Sequence, residues 1–462
     1  MGDIMENIKK RGFFSKKDVD MTDGNIVNHI IMFAFPLLIG NLFQQFYNTV
    51  DTWVVGNYVE NDAAFAAVGS VGPIINMIIG LFVGFSSGAG VVISQYYGAR
   101  KYDKVDQAVH TSLCVTIILG VVFTFLGILL VPAMLGLMKT PDSVFPEAKS
   151  YLTIYFSGVI GIMIYNIGSG ILRAVGDSTR PFIFLVACAL MNVVLDLVFV
   201  IKFGMGVEGV AYATIISQGV SALLVVITLL RTSSCIKLVP SHLKIDIESL
   251  GKIVRVGIPA AIQLSLTAFS NVFVQSYINQ FGQDCMSGWT AYAKIDQFMF
   301  LPMQSLAMAA TTFVGQNLGC GKVERAKKGI TVSMAVSVIA TVIIMIPVMI
   351  FSKPLVTFFE DKPEVIEYGV MLLRYISPFY VLCCFNQIIA GALRGAGNSR
   401  APMIIMLTSF VAFRQIYMYI MSNFICNEII PIAMGYPAGW LLSSILSFVY
   451  LAKADLKKKV VI

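Results

Sequence analysis

GILRAVGDSTRPF at residues 170–182 and GALRGAGNSRAPM at residues 391–403 are two copies of one loop, and they decide the fold. A second pair of similar stretches, ISQYYGARKYDKVDQA from residue 93 and VGQNLGCGKVERAKK from residue 314, is separated by the same 221 residues. Pro36 and Pro259 repeat at nearly that spacing. The chain is therefore predicted to consist of two similar halves in tandem.

The composition is that of a membrane protein. Of 462 residues, 57% are hydrophobic and 13% are charged, and the mean hydropathy is +0.80, which is far too apolar for a soluble domain. Apolar runs close to the roughly 20 residues that cross a bilayer as a helix predict twelve spans. Their predicted bounds are 26–56, 64–92, 108–131, 151–172, 182–202, 207–230, 253–280, 289–317, 330–351, 366–392, 402–424 and 432–452. We expect an all-α polytopic protein of two six-helix bundles. Since each half has an even number of helices, the pseudo-two-fold axis should lie along the membrane normal.

Loop charges predict the orientation of the chain in the membrane. Lysine and arginine concentrate before helix 1, after each even-numbered span and at the end of the chain, whereas the alternate loops are acidic. The positive-inside rule then places both termini in the cytoplasm, and we expect a multi-pass plasma-membrane protein that does not bind nucleic acid. The predicted divisions are a cytoplasmic segment 1–25, an N-lobe 26–230, a linker 231–252 with an amphipathic helix in SHLKIDIESLGKIVR, a C-lobe 253–452 and a basic tail 453–462.

Polar residues inside the first half form a candidate ion site. Helix 1 carries Asp51, helix 5 carries Asn192 and Asp196, and helix 6 carries Thr214. The spacing of four residues places Asn192 and Asp196 on one helix face. All four residues are expected at one depth, about 10 Å from the outer edge. Two carboxylates, an amide oxygen and a hydroxyl suit a proton or a small cation, with Asp51 and Asp196 as candidate Na⁺ ligands. The alternative is that these groups only link helices by hydrogen bonds.

The second half has a different set of polar residues. The positions equivalent to the four N-lobe residues are Val274, Phe413, Tyr417 and Gly435, none of which is acidic. Instead, Lys294 and Asp296 lie in helix 8 and Arg414 in helix 11. We expect a buried ion pair between Asp296 and Arg414. The alternative is that Arg414 is a fixed cation where the first half binds an exchangeable one.

The repeated GxLRxxG loops are typical of tight helix–helix turns. Glycine would end one helix, and Asp177 or Asn398 would cap the next. The alternative is a functional role in which Arg173 and Arg394 lock a cytoplasmic gate.

The whole chain resembles the multidrug and toxic compound extrusion (MATE) transporters, whose superfamily also contains flippases of lipid-linked oligosaccharides. The resemblance rests on YNTVD in helix 1 with Pro36 fifteen residues before its aspartate, on NxxxD in helix 5 with a threonine eighteen residues later, and on the paired GxLRxxG loops. Similarity to the DinF-like kind implies that the residues at Pro36, Asp51, Asn192, Asp196 and Thr214 form an N-lobe cation site. It also implies that helix 1 bends at Pro36 when that site is protonated. The acidic residue that the NorM-like kind carries in helix 7 is absent from TAFSNVFVQS, so a second cation site in the C-lobe is not predicted.

The resemblance implies a secondary antiporter rather than an enzyme. Inward flow of protons or sodium would drive export of amphipathic, often cationic, organic compounds by rocking of the two lobes. No cofactor other than the coupling ion and no partner beyond the substrate and the bilayer are expected, and we expect a monomer. The 23 methionines and many aromatic residues would give the cavity an adaptable wall.

Three other classes fit less well. A flippase or exporter of a lipid-linked or other endogenous metabolite is the main alternative, but holding a pyrophosphate needs several cations, and only Lys294 and Arg414 are available. A membrane enzyme needs clustered catalytic groups, whereas His29, His110 and His242 are predicted to lie far apart at membrane edges. An ATP-driven pump needs GxxxxGK[ST], and GCGKVE lacks the first glycine and the hydroxyl.

Overall fold

The structure, a computed structural model, describes residues 18–59, 62–138, 140–456 and 460–462. Within these ranges eleven helices are long and apolar enough to cross a membrane, and a pair of helices bent by 47° makes a twelfth span. The spans are α1 (Ile26–Tyr58), α2 (Asp62–Gly98), α3 (Tyr102–Leu137), α4 (Phe145–Ser157 and Val159–Ala174), α5 (Thr179–Asp196, continued by Leu197–Lys202), α6 (Gly206–Arg231), α7 (Ile247–Asn279), α8 (Gln283–Gly319), α9 (Val323–Ile350), α10 (Pro363–Ile376, Ser377–Phe379 and Tyr380–Gly395), α11 (Arg400–Met406, Leu407–Phe413, Arg414–Ile420 and Met421–Ile425) and α12 (Ile429–Ala433 and Gly435–Lys453). A short helix, Ser352–Thr357, lies between α9 and α10. The prediction of twelve spans is confirmed for the described residues.

Two helices widen locally next to charged residues. In α5, the segment Leu197–Lys202 is π-helical and begins directly after Asp196. In α11, the π-helical segment Leu407–Phe413 ends directly before Arg414. Short π-helical segments inside α-helices are frequent at functional sites, because they change the direction in which the following side chains point.

The GxLRxxG loops form the predicted turns. Gly176 and Gly397 adopt φ values of +85° and +90°, where a side chain would be strained. Their amide groups donate to the carbonyls of Arg173 and Arg394 at 2.9 and 2.7 Å. The Asp177 carboxylate then accepts hydrogen bonds from two amides in the first turn of α5, at 3.1 Å each. The turn interpretation of these loops is confirmed.

The amphipathic helix predicted in the linker is not a separate element in the structure. The SHLKIDIESLGKIVR stretch instead leads directly into α7, which begins at Ile247. The side chain of Asp246 caps this helix by accepting from the Ser249 amide at 2.8 Å. Nothing breaks the helix between this cap and Pro259, so the amphipathic residues form its first turns. One side of these turns packs on α3, where Lys104 and Glu248 form an ion pair at 3.0 Å.

The two halves meet along α2 and α7 at glycines that allow close backbone contact. A methyl group at Gly84 would lie 2.3 Å from the Ala261 Cα atom, and one at Gly88 would lie 2.6 Å from the Gly257 Cα atom. Small residues at such crossings let helix backbones approach each other closely, which increases the van der Waals contact between the helices. That contact matters in a membrane because the hydrophobic effect does not drive helices together in lipid. The interface therefore depends on the absence of side chains at these positions.

A symmetric pair of glutamines joins the halves at one end of the bundle. We call this the terminal end, because it contains the first and the last described residues and the GxLRxxG loops. Gln95 donates from Nε2 to the Gly395 carbonyl, and Gln316 donates from Nε2 to the Ala174 carbonyl, each at 2.9 Å. Both glutamines are 0% exposed. The donors and the acceptors are each related by the 221-residue repeat, so the two lobes are held together here by equivalent bonds.

Residues 18–25, which we call the N-terminal strap, cross from α1 to the C-lobe. The Met21 amide donates to Gln316 Oε1 at 2.9 Å. Lys322 Nζ lies 2.6 Å from Asp23 Oδ1. This ammonium group holds the pKa of Asp23 below its ordinary value. The rest of the predicted segment 1–25, residues 1–17, lies outside the described residues.

The end of the chain crosses in the opposite direction. The Val461 amide donates to Gln95 Oε1 at 3.0 Å, so a residue that follows the C-lobe binds the N-lobe. The three lysines of the predicted basic tail, Lys457 to Lys459, lie outside the described residues. Each glutamine therefore bonds both a loop carbonyl and a terminal segment.

Candidate functional site

The acidic cluster predicted in the N-lobe is assembled in the structure. Asp51 on α1 is 9% exposed, and Asn192 and Asp196 on α5 are 1% and 0% exposed. Since α1 packs against α5, the carboxyl groups of Asp51 and Asp196 lie close enough to interact electrostatically. Two carboxyl groups this close cannot both remain charged without a proton or a cation nearby.

The polar atoms of this cluster have few partners within the protein. The described residues supply no hydrogen-bond partner for Asp51 Oδ1, for either oxygen of Asp196, or for the side-chain oxygen and nitrogen of Asn192. An unsatisfied buried polar atom costs about 1–3 kcal/mol, and more when it is charged. Oxygen atoms arranged in this way suit a proton or a small hard cation such as Na⁺.

The other two predicted members of the site are buried but are not bonded to the acids. The Thr214 hydroxyl donates to the Val210 carbonyl one turn earlier in α6, at 3.0 Å. Among the described residues, no hydrogen bond joins Thr214 to Asp51 or Asp196. Pro36 lies buried inside an uninterrupted α1, where it removes one backbone hydrogen bond. Their roles as cation ligand and hinge stay predictions.

Buried tyrosines surround the acid pair, and sequence reasoning missed them. Tyr47 and Tyr151 lie within electrostatic range of Asp51, and Tyr151 also of Asp196. Tyr151 stacks on Tyr155 with ring centroids 6.4 Å apart. The sequence could have indicated these tyrosines, because Tyr47 lies one helical turn before Asp51 and Tyr151 lies one turn before Tyr155. These rings make the surroundings of the acids apolar.

A second candidate site is a cavity of about 570 Å³ between α1 and the C-lobe. Most of its lining lies in the helix halves farther from the terminal end. The lining residues are Asn41, Gln44, Gln45, Asn48, Thr267, Asn271, Trp289, Tyr292, Ala293, Asp296, Gln297, Phe300, Leu301, Gln304, Cys383, Asn386, Gln387, Phe410, Arg414, Tyr436 and Trp440. Nine amide side chains and six aromatic rings make up most of this wall, so it can both hydrogen-bond and stack on an organic ligand.

Asp296 is held in the cavity wall by two tyrosines. Its Oδ1 atom accepts from the Tyr292 hydroxyl at 3.3 Å and from the Tyr380 hydroxyl in a short hydrogen bond. Tyr292 lies one turn earlier on α8, whereas Tyr380 comes from α10. Two donors on the same oxygen fix the orientation of the carboxylate and stabilise its negative charge.

Arg414 is held in the same cavity by neutral groups. Its guanidinium donates to Ser270 Oγ at 3.0 Å and to Asn271 Oδ1 at 2.8 Å, and it lies 4.6 Å from the centre of the Tyr436 ring. The predicted ion pair with Asp296 is not formed among the described residues, because each charge is bound by its own neutral partners. Both residues nevertheless line the cavity, as the sequence allowed.

The remaining predicted residues lie outside both sites. Lys294 is half-buried on α8 and is not among the residues that line the cavity. Arg173 and Arg394 are half-buried in the terminal-end loops, next to the Ala174 and Gly395 carbonyls that the glutamines bind. This placement is where a gate residue would be, but a gating role stays a prediction.

Two histidines that were expected to lie far apart are neighbours, because the linker folds back on α3. The rings of His110 and His242 are 5.6 Å apart, with Asp106 beside both. His110 uses both ring nitrogens: Nδ1 bonds the Asp106 carbonyl at 2.8 Å, and Nε2 accepts from the Val239 amide at 3.0 Å. We interpret this cluster as a structural tie between the linker and the N-lobe.

Comparison with known proteins identifies the family. The MatE family model matches residues 36–198 and 259–420, one match in each half. The probable multidrug resistance protein YpnP of Bacillus subtilis is 29% identical over 436 residues, which is 94% of this chain and 96% of that protein. The probable multidrug resistance protein NorM of Thermotoga maritima is 26% identical over 452 residues, with 95% and 94% covered. A solved structure of a MOP-superfamily transporter from Pyrococcus furiosus superposes with a TM-score of 0.90 at 24% identity, over 96% of this chain and 99% of that chain. The chain therefore belongs to the MatE family of membrane transporters.

Proposed function

We propose that the protein is a secondary multidrug exporter that couples inward movement of protons or sodium ions to outward movement of organic compounds. Membership of a transporter family means that it is a multi-pass membrane protein and not an enzyme. Relatives named as multidrug resistance proteins cover nearly its whole length. The observation that carries the proposal is the presence of two distinct sites, a buried acid pair in the N-lobe and an aromatic cavity beside the C-lobe.

The acid pair is the proposed coupling site. Asp51 and Asp196 face each other without protein hydrogen bonds to most of their oxygen atoms. Binding a proton or Na⁺ there neutralises the repulsion between them and draws α1 and α5 together. Because α1 also forms one wall of the cavity, ion binding would move residues that contact the substrate. This arrangement is the feature that the DinF-like kind of transporter led us to expect, and that finer assignment is part of the proposal.

Alternating access supplies the transport step. The glutamine pair closes the terminal end, while most of the cavity lining lies nearer the other end. With the termini in the cytoplasm, as the loop charges predict, this state faces outward. Opening toward the cytoplasm would then break the bonds of Gln95 and Gln316 and release the N-terminal strap.

The cavity argues against the flippase alternative. Lys294, one of the two cations counted for a pyrophosphate site, is not part of the cavity wall. The other, Arg414, shares the cavity with the carboxylate of Asp296. A doubly charged pyrophosphate is bound by several cations in concert, and a nearby carboxylate would repel it.

An efflux assay tests the proposal. Cells expressing wild type, Asp51→Asn or Asp196→Asn are loaded with a fluorescent cationic dye and placed under a sodium gradient or a proton gradient. We expect wild type to export dye under one gradient, which names the coupling ion, and both variants to lose export at normal surface expression. Wild type that moves no dye under either gradient would contradict the exporter function. Full export by both variants would contradict the coupling site.

A further inference from the structure

The cavity contains two opposite charges that do not neutralise each other. Asp296 bonds the hydroxyls of Tyr292 and Tyr380, and Arg414 bonds the neutral oxygens of Ser270 and Asn271. Buried ionised side chains are normally paired, because an unpaired charge costs much solvation energy. Among the described residues neither charge has an oppositely charged partner, which points to a ligand that pairs with both.

Arg414 in particular has unused binding capacity. Its residue is 3% exposed, it lines the cavity, and its Nε atom is buried without a hydrogen-bond partner among the described residues. A guanidinium has five N–H donors in a planar fork that fits a carboxylate. Its existing partners use part of that fork and carry no negative charge.

Aromatic rings connect the two charges. Tyr436 lies under Arg414, with 4.6 Å from the guanidinium to the ring centre. The Trp289 ring centre is 5.7 Å from that of Tyr436 and 5.1 Å from that of Tyr292, whose hydroxyl bonds Asp296. A ligand that reaches from one charge to the other therefore passes along a continuous aromatic wall, which favours a flat, apolar body.

We propose that this cavity selects zwitterionic aromatic compounds, with the cationic end at Asp296 and the anionic end at Arg414. The inference rests on the proposed function, in that the ligand is the cargo of the exporter. A purely cationic compound satisfies Asp296 and leaves Arg414 uncompensated, so it binds more weakly. Arg414 is then the residue that determines this specificity.

Binding of two matched dyes tests the inference without any gradient. Rhodamine B is a zwitterion at neutral pH, and its ethyl ester is a cation with the same aromatic body. Fluorescence anisotropy with the purified protein, with empty detergent micelles as the blank, gives both dissociation constants. We expect wild type to bind rhodamine B about tenfold more tightly than the ester, the effect of one added charge-assisted hydrogen bond.

Three variants and one matched control separate specificity from general damage. Arg414→Gln should bring the ratio of the two affinities close to one while the ester still binds, and Arg414→Lys should keep a preference for rhodamine B. Asp296→Asn should weaken binding of both dyes. Lys294→Gln is the matched control, because it removes a charge from the same helix as Asp296 outside the cavity, and it should leave the ratio unchanged. Melting temperatures show whether each variant is folded.

The outcomes distinguish this inference from the exporter proposal. Equal affinities in wild type, or an unchanged ratio in folded Arg414→Gln, would overturn the zwitterion site even if the cells export dye. If Arg414→Gln does not fold, loss of the preference in Arg414→Lys together with an unchanged ester affinity would also overturn it. A clear preference in the purified protein combined with no efflux from cells would support the site and contradict the exporter function.

Discussion

The glutamine pair at the terminal end gives the sharpest prediction about conformational change. Gln95→Leu keeps the size of the side chain but removes the hydrogen bond to the Gly395 carbonyl and the one from the Val461 amide. Each such bond contributes about 0.5–1.5 kcal/mol net, so the closed terminal end loses about 1–3 kcal/mol. That loss corresponds to a shift of about 5- to 150-fold toward the state that is open at this end.

The Met21 amide is the reporter of that opening. It is held by Gln316 in the C-lobe, although Met21 precedes the first helix of the N-lobe, so separation of the lobes must free it. Hydrogen–deuterium exchange of the peptide that contains Met21 should therefore be faster in Gln95→Leu than in wild type, although residue 95 makes no hydrogen bond to Met21. Gln218→Leu is the control, since Gln218 is a buried glutamine that bonds Tyr47 within the N-lobe. Unchanged exchange at Met21 in Gln95→Leu would refute the idea that the two glutamines hold one rigid closure.

Two further substitutions test the interface and the loops. Gly88→Ala should destabilise the closed interface by about 1–3 kcal/mol, because the added methyl group meets the Gly257 backbone. Gly72→Ala on the same helix is the control, since a methyl group there meets nothing within 4 Å. Thermal melting compares the two variants, and equal melting temperatures would count against close packing at Gly88. Arg394→Ala should slow dye efflux about tenfold if its side chain stabilises the closed state by about 1.4 kcal/mol, and normal efflux would limit this residue to its role in the turn.

The fold was largely predictable because each membrane span is determined by the composition of its own stretch of sequence. Runs of apolar residues of fixed length mark helices in any tertiary arrangement, and the 221-residue repeat shows that the halves are equivalent. The N-lobe acids were predictable for the same local reason, since the spacing of Asn192 and Asp196 fixes their shared helix face. Their common depth with Asp51 followed from counting residues along each helix.

The partners of the C-lobe charges were not predictable from spacing. Asp296 and Arg414 were paired by charge alone, but contacts between helices depend on rotation and packing that the repeat does not encode. Tyr380 lies 84 residues after Asp296 in the chain and bonds it from another helix. Nothing in the sequence around a tyrosine in an apolar run indicates that its hydroxyl binds a distant carboxylate. The same limit applies to the glutamines, which were visible in the repeat but whose bonds cross between lobes.

The first turns of α7 show a different limit of sequence patterns. Amphipathic periodicity in SHLKIDIESLGKIVR was attributed to a surface helix, although the same pattern arises where a long helix extends beyond the bundle and packs on one side. Sequence periodicity reports which face is buried and does not report where a helix ends unless a breaking residue is present.

Ion movement driven by the substrate shows whether the Asp51–Asp196 pair couples ion flow to export. Proteoliposomes that contain purified protein receive a gradient of cationic dye but no ion gradient, and proton and sodium movements are followed with indicators. We expect wild type to move one of the two ions against the dye, and Asp196→Asn to bind dye but move neither. Glu208→Gln, which changes an exposed carboxylate of the same lobe, should behave as wild type. Substrate-driven ion movement that survives in Asp196→Asn would show that this acid pair is not the coupling site.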